Sequence, residues 1–115
     1  MLFSGLAIEL ASSELDELAM SVPGYVTDVA FRQAVSQSVM AARTNIRLAA
    51  EASNQDAGWL CTIACDQLLF AWSLLLNQTL NKDLDRASCK ALAEKVLTAT
   101  GTVRTLETAA RALTV

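Results

Sequence analysis

Three cysteines, no histidine and one acid set in an apolar run are the residues from which chemistry would have to be built. Cys61 and Cys65 stand four apart, one helical turn, on the face shared with Leu68 and Trp72. Completed by Cys89 they would form half of a metal site; alone they would form a redox pair. A structural zinc site takes four Cys or His ligands, and this chain has three cysteines and no imidazole. The spacing therefore reads as small core hydrophobes, the common behaviour of reduced cysteine. An odd count with two on one helix also argues against a disulfide framework and for a reducing, cytoplasmic compartment. No cofactor and no metal site are expected.

Without histidine, the common acid–base, triad and di-iron schemes lack their central group. No glycine-rich phosphate loop, nucleophile elbow or Cys-x-x-Cys pair occurs. The expectation is a protein that is not an enzyme. Asp66 is the remaining acid of interest, because it lies inside the run Trp59 to Leu76. Burial would raise the pKa of its carboxyl, which makes Asp66 a candidate buried polar switch. The plainer reading is a polar stripe that reaches solvent, or an ion pair with an arginine of the second helix.

Basic residues form the next pattern. Lys82, Arg86, Lys90, Arg104 and Arg111 fall on one side of the fourth helix, and Arg32, Arg43 and Arg47 gather on an edge of the second. They are candidate contacts for phosphates or for an acidic partner. The net charge is −3, Asp83, Asp85 and Glu94 are interleaved, and no aromatic stands among the cations to stack on bases. A helical subunit of a nucleic-acid–protein complex is thus the second reading and not the first. The charge is also uneven along the chain. Glu9, Glu14, Asp16, Glu17 and Asp28 precede every Lys and Arg.

The elements that must position these residues read as helices. The chain has 115 residues, 53% hydrophobic, with one Pro and four Gly, and a mean hydropathy of +0.35. Ala and Leu dominate, and both lose little side-chain freedom in a helix. The length suits a single domain over 1–115. The N-terminus lacks a basic segment, so no signal peptide is read. Ile8, Ala11, Leu15, Leu18 and Val22 predict a first helix over Ser4 to Ser21, with a break near Ser12 as an alternative, and Pro23-Gly24 ends it. Thr27 would cap a second helix running to Ser53 on the stripe Phe31, Val35, Val39, Ala42, Ile46 and Ala49. Asp56 would cap a third from Ala57 to Leu80. The fourth starts after Asn81 or Asp83 and reaches Leu113 on the seam Leu92, Val96, Ala99, Val103, Leu106 and Ala110. That seam keeps its phase across Gly101, which favours one helix over two.

The fold class expected is therefore all-α: an antiparallel bundle of four helices, or five if the last splits, around a central, largely apolar third helix. Thr62, Asp66, Ser73 and Asn77 form a narrow polar stripe on that helix, and most of its remaining circumference is apolar. Its length approaches a membrane span, but Asp66 and Gln67 sit at its middle, so no span is expected. A wide apolar arc on a small chain instead points to association. Leu68, Trp72, Leu75, Leu76, Leu106 and Leu113 are the candidate interface for a protein partner or a homo-oligomer. The leading functional reading is an interaction or assembly module. A carrier of an apolar small molecule in the bundle core is a further alternative.

Overall fold

The computed structural model describes residues 3–22, 24–81 and 86–112. They form four helices: α1 (Phe3–Ala19), α2 (Val29–Glu51), α3 (Asn54–Asn81) and α4 (Arg86–Ala112). The all-α bundle expected from the periodicity is the fold observed, and the five-helix alternative is not adopted.

Local chemistry sets the ends, and in two places it moves them from where the spacing put them. Asp28, not Thr27, caps α2: its Oδ1 accepts from the Phe31 N–H at 3.1 Å, satisfying a donor that the first turn leaves without a helical partner. Ser53, not Asp56, opens α3. Its Oγ accepts from the Asp56 N–H at 3.3 Å, so the helix starts three residues earlier than expected and Asp56 lies in its first turn. Gly24 has φ 83° in the connection after α1, a backbone state that its missing Cβ makes inexpensive; Pro23 lies outside the described residues. α1 does not break at Ser12, whose hydroxyl donates to the Glu9 carbonyl at 2.8 Å within the helix. α4 runs unbroken through Gly101. Its threonines stay helical by donating to carbonyls four residues back, Thr100 to Val96 at 2.8 Å and Thr102 to Thr98 at 3.3 Å.

α3 is central. It packs against each of the other helices, whereas α2 and α4, on its two sides, do not approach one another among the described residues. The two-residue link between α2 and α3 makes them antiparallel neighbours. Asn45 of α2 donates to Gln67 of α3 at 2.9 Å, and Cys89 Sγ at the start of α4 donates to the Thr79 carbonyl near the end of α3 at 3.7 Å. The α2–α3 seam is built from alanine: Ala42 and Ala49 on one helix, Ala57, Ala64 and Ala71 on the other, all buried and spaced by sevens. Small side chains let helix axes approach closely. α1 lies over this layer, inserting Ile8, Ala11, Leu15, Ala19 and Val22 into the core. Arg43 of α2 anchors it, donating to Ser12 Oγ at 3.2 Å and pairing with Asp16 at 2.5 Å.

The result is a slab of 47 × 24 × 17 Å. Its radius of gyration is 14.6 Å, against about 13 Å for an average domain of this length. One face of the layer is covered by α1. Among the described residues nothing covers the other face of α3.

Candidate functional site

The two faces of α3 separate cleanly. Cys61, Ala64, Cys65, Leu68, Ala71, Trp72 and Leu75 are buried. Leu68, Trp72 and Leu75 were expected at an interface between molecules; they lie instead in the core of this chain, because α1, α2 and α4 together cover a wider arc of α3 than one neighbouring helix would. Leu76 and Leu106 are half-buried against that core. Leu113 and Lys82 lie outside the described residues.

The outer face carries Trp59, Phe70 and Leu80, which are 58%, 55% and 57% exposed. Asp66, Ser73 and Asn77 are exposed between them. These six positions recur at helical spacing along one side of α3. The polar stripe read from the sequence is therefore the solvent side of the helix, with Thr62 set apart from it: Thr62 is buried and donates to the Gly58 carbonyl at 2.9 Å. Asp66 is not buried, which corrects its assignment as a buried switch. It faces outward because it stands one residue beyond Cys65, about 100° around the helix from the core.

The acid held inside is Glu107, on α4. Its side chain is 17% exposed, and Oε2 is wholly buried with no hydrogen-bond partner among the described residues. Its carboxyl lies against that of Asp66 across the α3–α4 seam. Polar contact with the Asp66 carboxyl first, then burial, then the Asp66 charge push its pKa up, while Arg111 and Arg104 pull it down. Cys65 lies close by. Burial first, and then Glu107, Cys61 and Asp66, push its thiol up to about 12. Cys61 and Cys65 are buried, Cys89 is half-buried, and none is in a disulfide. Among the described residues no Cys, Asp and Glu group has the arrangement of a metal site.

Glu107 was not singled out from the sequence. Its one signal is position: it follows Leu106 and precedes Ala110 on the apolar seam of α4. That contact also locates the basic stripe. Arg86, Lys90, Arg104 and Arg111 are exposed, as is Leu97 at 57%, and all share the side of α4 on which Glu107 lies. Glu107 touches Asp66 on the outer face of α3, so the stripe borders that same face. Arg111 also approaches Glu107 at 3.8 Å. On the other border the Asn45 side of α2, with Ser38, Ala41 and Leu48, carries no charge.

No family model, curated protein or solved structure matches this chain. The geometry has to carry the functional argument by itself. The outer face of α3 is a mixed row about 30 Å long, from the rise of 1.5 Å per residue between Trp59 and Leu80, in which Trp59, Phe70 and Leu80 are interspersed with Asp66, Ser73 and Asn77, with cations along one border.

Two further concavities lie beside α1. A groove of about 570 Å³ between α1 and α4 is lined by Glu14, Glu17, Glu94, Lys95 and Thr98, with Leu18 at its floor. A second of about 370 Å³, between α1 and α2, holds Glu9, Ser13 and Arg47 beside Arg43.

Proposed function

We propose that this chain is a non-enzymatic protein-interaction module that receives an amphipathic helix of a partner protein along the outer face of α3. The observation that carries this reading is the exposure of Trp59, Phe70 and Leu80 on the helix that lies between α2 and α4 and packs against both as well as against α1. Large apolar side chains in a row are costly to leave in water and mark association surfaces. A helix is the occupant that fits the row. The opposite side of the same layer already seats one, α1, through an apolar stripe of its own. A helix of about 20 residues spans the row from end to end and would complete the burial of α3.

The phosphate-contact reading uses Arg86, Lys90, Arg104 and Arg111 of the same face. A phosphate backbone has no apolar face with which to cover Trp59, Phe70 and Leu80, so a protein helix is the better match. The membrane alternative rests on Gln55–Leu80 being long and apolar enough to cross by length and composition. Asp66 interrupts that stretch, and its inner face is occupied by the other helices.

Trp59 reports the test directly. A synthetic amphipathic helix with a leucine stripe, titrated into the full chain, shifts Trp59 emission to the blue, and Phe70→Asp abolishes the shift while the circular dichroism stays helical. Emission that never moves, with any such peptide, overturns the reading. Sedimentation that shows a dimer, dissociated by Phe70→Asp, assigns the face to a second copy instead.

A further inference from the structure

We infer that the helix received on this face carries an acidic edge, lying along α4 against Arg104 and Arg111. The inference rests on the docking reading above and adds the chemistry and orientation of the partner.

The charge on the face is one-sided. Arg86, Lys90, Arg104 and Arg111 are exposed on the α4 border, whereas Asn45, Ser38, Ala41 and Leu48 on the α2 border are uncharged. A helix laid along α3 therefore meets cations on one flank and small or amide side chains on the other. Acids on the first flank gain from the cations, and lysines there are repelled. The α2 flank exerts no comparable selection. The one-sidedness thus fixes how the partner helix is rotated about its own axis.

The chain also contains an example of the helix that this layer accepts. α1 has an apolar stripe, carries Glu9, Glu14, Asp16 and Glu17, and has no Lys or Arg. On the covered side Asp16 pairs with Arg43, while Glu14 and Glu17 line one groove with both Lys95 and Glu94. The uncovered side repeats the same elements, apolar α3 beside a cationic border of α4, with no acidic helix of this chain upon it. Asp66 is exposed on the same face. Its place near the middle of the row requires a neutral or donor residue opposite it.

The test uses the intact chain and two peptides of about 20 residues with one leucine stripe, differing only in whether one edge bears Glu or Lys. Binding is read by Trp59 emission and by calorimetry. The acidic peptide is expected to bind about tenfold tighter at low salt, with the difference shrinking as salt screens the pairs. Arg104→Glu with Arg111→Glu reverses the preference; Arg104→Gln with Arg111→Gln, a milder change, removes it. Equal affinities, or a preference for the Lys peptide, overturn the acidic edge and leave the docking face standing. Binding of neither peptide overturns the docking reading beneath it. Tight binding to vesicles rich in phosphatidylserine, without discrimination between the peptides, assigns the cations to lipid headgroups and overturns the proposal.

Discussion

The Glu107 carboxyl couples the α3–α4 seam to pH. Glu107 has its pKa raised in the folded chain above the ordinary 4.5, chiefly by polar contact with the Asp66 carboxyl. The folded state therefore holds a proton that the unfolded state releases. This contribution to stability is fully present below about pH 4.5 and is lost as pH rises through the raised folded value. Removing the titration, with Glu107→Gln, is expected to flatten that part of the pH dependence, read from urea midpoints at a series of pH values. An unchanged profile would show that the carboxyl pair has no thermodynamic weight. Cys65 supplies a separate check. A thiol pushed up to about 12 and fully buried is unreactive at pH 8, since the thiolate is the nucleophile. Its alkylation should follow global unfolding, with half-buried Cys89 labelled first; fast labelling of Cys65 in the native protein contradicts the packing.

Helix α3 divides into a buried side and an exposed side, and substitution tells them apart. Leu68→Ala removes a wholly buried side chain and should cost about 2–5 kcal/mol through lost burial and the cavity left behind. Phe70→Ser, two residues away on the outer face, should change stability by less than about 0.5 kcal/mol. Comparable losses in chemical denaturation would mean that the outer face is packed. In α4, an added Cβ at Gly101 meets nothing within 4 Å, so Gly101→Ala should stabilise by about 0.5–1 kcal/mol, the difference in helix propensity. A destabilised variant would show that α4 bends or breaks there. Arg43 is partly exposed, which limits its ion pair with Asp16 to a modest contribution; its larger effect is to hold α1 in register over α2.

For the whole molecule, the asymmetry between a covered and an uncovered side of one layer is the property that matters. The two tryptophans sample it. Trp72 is wholly buried and its indole N–H finds no acceptor among the described residues; Trp59 is mostly in water. Trp72→Phe should leave red-shifted emission that acrylamide quenches freely, and Trp59→Phe should leave blue-shifted, protected emission. Occupation of the face by a partner should protect Trp59 while leaving Trp72 unchanged. Equal quenching of both variants in the free protein would place Trp59 inside an assembly already formed.

The helical class, the buried stripes of α2 and α4 and the continuity of α4 through Gly101 were legible in the residues. Periodicity and propensity act over a few turns, and apolar positions spaced by three and four leave one way to bury them. The same patterns predicted that α3 has more apolar surface than one neighbour covers. Which part of that surface stays uncovered was decided only by the tertiary structure. A helix apolar nearly all round has no phase of its own, so the placement of α1, α2 and α4 determined that Leu68, Trp72 and Leu75 are core and that Trp59, Phe70 and Leu80 are not. The burial of Glu107 rather than Asp66 has the same cause. A carboxyl is desolvated by what packs across from it, and that neighbour lies some forty residues away in the chain.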